Sequence, residues 1–216
     1  MREIKRKQGC FIVLEGLDGS GKSTQAQSLV QFLSQKGMVC HLDREPTDGP
    51  VGRLLRSALR GECQMDPRTL ALLFAADRLE HVTAPETGIL ARLQRGEWVI
   101  SDRYYLSSYA YQMADMPLSW VCRLNQPVTA LCRPDMQLFI DSDPEICLAR
   151  ISGNRADTEL FENRQRLEMT RDNFFKIFHR LQQTERIVTV NGNVCPQEVF
   201  GQLCNAIAPL LPKEDI

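Results

Sequence analysis

Five short apolar runs, each bounded by turn residues, punctuate the chain: Cys10 to Glu15, Met38 to Leu42, Trp98 to Ser101, Met136 to Ile140 and Ile187 to Val190. They are continuous rather than alternating, which is the pattern of strands buried on both faces. Helix-length segments separate them: Lys22 to Lys36, Arg68 to Arg95 with a restart at Pro85, Pro144 to Ile151, Glu159 to Gln183, and Pro196 to Leu211. Gly37 after Lys36 is a helix stop, and Asp143-Pro144 is an N-cap followed by proline at the first helical position. The alternation predicts an α/β fold, a parallel sheet with helices on both faces. Ligands bind such sheets beyond the carboxyl ends of the strands. The residues to inspect are therefore Gly16 onward, Asp43 to Pro50, Asp102 to Gln112, Asp141 to Asp143 and Asn191 to Asn193.

Composition narrows the function classes. The 216 residues suit one domain spanning 1–216, and 43% hydrophobic with 25% charged residues is ordinary globular usage. Lys and Arg number 26 against 27 Asp and Glu, so no overall basic field draws the chain onto nucleic acid or acidic membrane. An anionic partner must be met by a local pocket. The eight cysteines include no CxxC pair and several lie in apolar runs, which reads as reduced thiols rather than disulfides. The basic N-terminus precedes too short an apolar run for a signal peptide, and no stretch nears the roughly 20 apolar residues of a membrane span. A soluble cytoplasmic protein is expected. His41, His81 and His179 show no metal-ligand spacing and are assigned no chemistry.

After the first apolar run comes Gly16-Leu17-Asp18-Gly19-Ser20-Gly21-Lys22-Ser23-Thr24, a full match to GxxxxGK[ST] in the strand–loop–helix context that the motif requires. Its glycines let backbone N–H groups turn inward around phosphate oxygens, and the following helix presents its positive end. Lys22 is expected to reach the β and γ phosphates of ATP, and the Ser23 hydroxyl to bind Mg²⁺. Asp18 is unusual, because a carboxylate inside a phosphate loop opposes the ligand's charge. It needs a hydroxyl or a cation, unless it simply points outward into water.

Arginines follow the second and third strands, in Asp43-Arg44-Glu45-Pro46-Thr47-Asp48 with Arg53 and Arg56 downstream, and in Asp102-Arg103-Tyr104-Tyr105. A second anion could sit there opposite ATP, which points to transfer rather than hydrolysis alone. Phe74 and Arg78, four apart on a predicted helix, form an aromatic platform beside a forked donor, or else core packing beside a surface charge.

The series EGxDGxGKST, REP with a downstream LLRS, LLFAADRLE, DRYYLSSYAYQ and RPDMQLFIDSDPE resembles the thymidylate kinase family of P-loop nucleoside monophosphate kinases. The resemblance implies a three-layer P-loop fold with a five-stranded parallel sheet and a short mobile lid near residues 150–160. It implies transfer from ATP to dTMP, giving ADP and dTDP. Asp18 would accept from the nucleotide 3′-hydroxyl, and Arg56 and Arg103 would hold the dTMP phosphate. Glu45 and Asp102 would orient those arginines and the Mg²⁺ water shell. Phe74 would stack on thymine, Arg78 would bond its carbonyl, Ser108 and Gln112 would line the base pocket, and Tyr111 would exclude a ribose 2′-hydroxyl. Asn191 to Val194, including Asn193, would pack the adenine. A homodimer is implied, with the apolar helix carrying Leu70, Leu73, Phe74 and Leu90 as its expected interface.

Two departures concern the acceptor pocket: REPTD stands where the bacterial pattern is REPGG, and Met113-Ala114-Asp115-Met116-Pro117 replaces a glycine-rich stretch. Gly19 and Ser20 leave the phosphate loop without the arginine some members carry. Arg150 and Arg155, in the polar segment Arg150 to Asp157, are then the candidates for transition-state charge, if that segment is more than a solvated loop. Arg164, Arg166 and Arg171 interleave with Glu162 and Glu168, a solvated helix face rather than a nucleic-acid surface. Kinases of another monophosphate (dUMP, dCMP or UMP) and a nucleotide-binding regulatory protein remain the alternatives.

Overall fold

Alternate residues of the first strand enter two different cores. Phe11 and Val13 pack on one side of the sheet, while Ile12 and Leu14, with Cys10 just ahead of the strand, pack on the other. That two-sided burial is why the strand runs read as unbroken apolar stretches. In the computed structural model of the chain, which describes residues 9–154 and 163–212, the strands are β1 (Phe11–Gly16), β2 (Cys40–Arg44), β3 (Trp98–Asp102), β4 (Met136–Asp141) and β5 (Ile187–Asn191). They form one five-stranded sheet in the order β2-β3-β1-β4-β5, and every pairing is parallel. On one face, α1 (Lys22–Gln35) and α9 (Pro196–Ile207) contribute Ala26, Leu29, Leu33, Val199, Leu203 and Ile207. On the other lie α3 (Pro67–Thr83), α4 (Ile89–Gln94), α5 (Tyr105–Gln112), α6 (Leu118–Leu131) and α8 (Arg164–Leu181), with Val82, Ile89, Val121, Val128, Phe174 and Ile177 buried. Each fully buried Val, Leu, Ile or Phe side chain among these contributes roughly 1.5–3 kcal/mol.

Several boundaries differ from expectation, each for a local reason. β2 begins at Cys40 because Gly37 and Met38 first close α1, their N–H groups donating to Ser34 O and Leu33 O at 2.9 and 3.1 Å. The segment from Arg68 to Arg95 is two helices, broken where Ala84 takes an extended conformation (φ −51°, ψ 130°) ahead of Pro85. α7 (Pro144–Asn154) continues past Ile151 into the predicted lid, since Ile151 is buried with Leu17, Cys147 and Leu167. Residues 150–154 are therefore helix rather than loop. α8 begins at Arg164, where Asn163 is its N-cap and accepts from the Arg166 N–H; Glu159 lies outside the described residues. The last helix gives way at Ala208 to a single 3₁₀ turn containing Pro209. Three helices had no sequence expectation: α5, α6 and α2 (Pro50–Leu59). No disulfide joins the eight cysteines; Cys10, Cys132 and Cys147 are buried and Cys195 is exposed.

The residues Leu70, Leu73, Phe74 and Leu90, expected at a dimer interface, face inward instead. Leu70 is buried with Leu55 and Ala58, Leu73 and Phe74 pack on that cluster, and Leu90 packs on the main core. No described helix is long and apolar enough to cross a membrane.

Candidate active site

The loops after β1 and β3 leave neighbouring strands at the carboxyl edge of the sheet, where the strand order switches. After β1, the phosphate loop turns through Gly16, Gly19 and Gly21, all at positive φ. Gly19 is constrained twice: its φ is 78°, and a Cβ there would lie 2.4 Å from the Cys147 carbonyl oxygen. Lys22 folds back along the loop, its Nζ donating to Leu17 O at 2.6 Å. Burial pulls its ammonium below the ordinary lysine range and Arg103 adds to that, while Asp102, Asp18 and Glu15 oppose it.

A cleft of about 430 Å³ runs from Asp18 through Thr24 to Arg150, Ile151, Gly192, Val194 and Pro196. Gly16 and Leu17 lie beneath it: Leu17 is buried in the core, and Gly16 O accepts from Arg103. Asn191 and Asn193 are not among the residues that line it, while Gly192 and Val194 of the same turn are. Asn191 Oδ1 accepts from the Asn193 N–H and Asn193 Oδ1 from the Asp143 N–H, so both side chains are used in shaping the turn that presents Gly192. Arg150 reaches the loop, 3.4 Å from Gly19 O. Arg155 lies outside the described residues.

The second cleft, about 210 Å³, is lined by Asp18, Arg44, Glu45, Arg56, Phe74, Arg78, Asp102, Arg103, Ser107, Ser108, Tyr111 and Gln112. Every substrate residue expected from sequence is brought into it. Asp18 does not point outward into water. Its carboxylate accepts from Arg103 Nη2 at 2.5 Å and from the Tyr111 hydroxyl at 2.8 Å. Burial alone would raise its pKa, but Arg103, Lys22 and the Tyr111 hydrogen bond hold it below the usual carboxylate range. Arg103 has φ 75°, which non-glycine residues seldom adopt and which costs on the order of 1–3 kcal/mol. The turn aims its guanidinium back across β1, over the Tyr111 ring at 5.0 Å.

Arg78 is not a surface charge. It is 1% exposed, with Nε donating to Glu45 Oε2 at 2.7 Å, Nη1 to Asn125 Oδ1, and Nη2 to Tyr104 O at 3.3 Å. Glu45 therefore orients Arg78 rather than the phosphate arginines. Arg56 is set by Pro46 O, Thr47 O and Asp48 instead. The Thr47 that departs from REPGG is held by Asp77, which accepts from its N–H and its hydroxyl at 2.8 and 2.6 Å.

Two participants escaped the sequence reading. His81 bridges Glu45 and Asp43 at 3.0 Å each, and Arg92 holds Asp43 from behind. Burial would lower the His81 pKa, but the two carboxylates raise it to about 9. Its only sequence signal is its place three residues after Arg78, on the same helix face. Glu15 is wholly buried behind the cleft, and its signal is a carboxylate at the end of an otherwise apolar central strand.

Ser23 Oγ donates to Asp102 Oδ2, while Asp102 Oδ1 is buried without a hydrogen-bond partner among the described residues. A hydroxyl beside an unsatisfied carboxylate oxygen is an oxygen donor set that suits Mg²⁺.

A glycine loop with a buried lysine at a helix start, facing an arginine-lined cleft across a shared aspartate, defines a P-loop nucleotide-binding protein built to hold two anionic groups at once. Residues 14–200 match the family model described as thymidylate kinase, and the chain belongs to that family. It is 39% identical over 176 residues to a probable thymidylate kinase of Pyrococcus horikoshii, covering 79% of this chain and 83% of the relative. It is 32% identical over 207 residues to a thymidylate kinase of Symbiobacterium thermophilum, covering 94% of each. A probable thymidylate kinase of Thermococcus onnurineus is 37% identical over 193 residues, 85% of this chain and 91% of the relative.

Proposed function

We infer that the protein is a thymidylate kinase that transfers the γ-phosphoryl group of ATP to dTMP, releasing ADP and dTDP. The observation that carries this is the meeting of the two clefts at Asp18, which lines both. A donor nucleotide on the phosphate loop and an acceptor phosphate against Arg56 and Arg103 would then face each other across Asp18.

A dTMP phosphate oxygen attacks the γ-phosphorus while the bond to the ADP oxygen breaks. The protein's task is positioning and charge stabilisation. Lys22, Arg103 and either Arg150, from α7, or Arg155 supply positive charge. Ser23 and Asp102 would hold Mg²⁺, which neutralises charge on the phosphates when bound. Phe74 stacks on the base, and Arg78, Ser108 and Gln112 surround its polar edge. The buried Gln112 Oε1 has no partner among the described residues and suits an N–H donor such as that of thymine. Tyr111 packs at the sugar's 2′ edge. We further propose that the chain works as a single domain in the cytoplasm, as a homodimer. Leu72 and Leu79, exposed and seven apart on α3, offer an apolar stripe for that contact.

A coupled ADP-release assay over dTMP, dUMP, dCMP and UMP tests the reading. dTMP is expected to give the highest kcat/KM. Faster turnover of another monophosphate would reassign the acceptor, and no turnover of any would leave a nucleotide-binding protein without kinase activity.

A further inference from the structure

Glu15 is the last side chain of β1 before the phosphate loop, and its carboxylate is spent on the acceptor side. Oε1 accepts from the Tyr104 and Ser107 N–H groups at 3.1 and 3.2 Å, and Oε2 accepts from the Ser107 hydroxyl at 2.5 Å. Tyr104 is the N-cap of α5 and supplies no side-chain cap, so the helix end is satisfied by a carboxylate from a different element. The Ser107 hydroxyl, with its O–H donated in a hydrogen bond to Glu15, turns a lone pair to Arg103, whose Nη1 donates to it at 2.9 Å. Arg103 in turn binds Asp18 of the phosphate loop. The bonds close a ring: Glu15, the loop to Asp18, Arg103, Ser107, and back to Glu15. It joins the donor loop to the helix carrying Ser108, Tyr111 and Gln112.

We propose that Glu15 is a positioning residue for phosphoryl transfer, fixing Arg103 and the acceptor helix in register with the phosphate loop through Ser107. The proposal rests on the thymidylate kinase reading above. A neutral group at this place weakens both helix-end bonds and leaves the Ser107 hydroxyl free to reverse, pointing its proton toward Arg103. Errors of about 1 Å between reacting groups can cost on the order of 10²-fold in rate. The charged side chains that act on Glu15 are Arg103 and Lys22, and Arg103 is itself paired with Asp18. Burial lifts the Glu15 carboxyl to about 7, against the pull of the Ser107 hydrogen bond and Arg103. Ionised Glu15 is the form that orders the ring, so kcat should rise with pH through that region.

The test is Glu15→Gln, which keeps the shape but reverses the bond to Ser107. Three readouts apply: kcat with saturating ATP and dTMP, the ATP dissociation constant by calorimetry, and kcat from pH 6 to 8. The expected result is kcat lower by about tenfold or more, ATP affinity within about threefold of the parent, and loss of the rising limb that the parent shows near pH 7. A kcat within about twofold of the parent, a retained limb, or ATP affinity falling in step with kcat each overturns the proposal. Should Glu15→Gln not fold, Ser107→Ala decides: lower kcat at unchanged ATP affinity supports the proposal, and unchanged kcat overturns it. A parent that does not phosphorylate dTMP at all refutes the underlying kinase reading instead.

Discussion

The donor cleft is largely backbone, with glycines at positive φ and one lysine folded onto a carbonyl. The acceptor cleft is largely side chains, drawn from the loops after β1, β2 and β3 and from α2, α3 and α5, and most of its charges are bound to one another before any ligand arrives. A backbone site depends on φ angles that a few glycines grant. A side-chain site depends on a network in which each member orients the next, so damage should spread.

Removing one cation from the donor cleft tests the first half of that contrast. Lys22→Ala should lower kcat on the order of 10⁴-fold, within the range for a cation on a transferring phosphoryl group, with thermal unfolding little changed. Turnover near the parent's would take the phosphate loop out of the mechanism. Arg78→Ala should behave oppositely, because it breaks a fully buried ion pair and leaves the Glu45 carboxylate with His81 as its remaining charged partner. A stability loss of about 3–5 kcal/mol in urea unfolding is expected, together with weaker dTMP binding. A stable variant that merely binds dTMP less well would mean the acceptor charges act independently.

The same network should make stability depend on pH. The His81 pKa is raised in the folded state, so its contribution is complete below about 6.5 and is lost as pH rises through about 9. The decline between those values should reach as much as about 3 kcal/mol and should be absent in His81→Gln. Equal slopes for parent and variant would detach His81 from the cluster. The smallest effect concerns sugar choice. Tyr111→Ala should raise ribonucleotide activity relative to dTMP by about tenfold, the scale of one small group in a pocket, as competition kinetics would show. An unchanged ratio would make Tyr111 a core residue only.

The same contrast explains what was legible in the sequence. Strand order could not be read, but strand number, direction and the donor loop could, because two-sided burial and glycine spacing are local properties of the chain. The resemblance placed the acceptor residues in one cleft without showing how they bind each other. Glu45 was expected to orient the phosphate arginines, yet it pairs with Arg78 and His81, partners 33 and 36 residues away. Pro127 lies inside α6, and a proline in mid-segment conceals a helix. The resemblance gave Asn191 to Val194 to the adenine without showing that the two asparagine side chains are used by the turn itself.

The free cysteines have a practical consequence. Burial pushes the Cys147 thiol up to about 11 and those of Cys40 and Cys132 to about 12, so none of these forms appreciable thiolate at neutral pH. Cys195 alone among the eight is exposed, and it sits between Val194 and Pro196, which both line the donor cleft. The chain thus carries its own attachment point for a maleimide dye at the rim of the ATP site, where nucleotide occupancy could be followed as fluorescence without introducing a foreign residue.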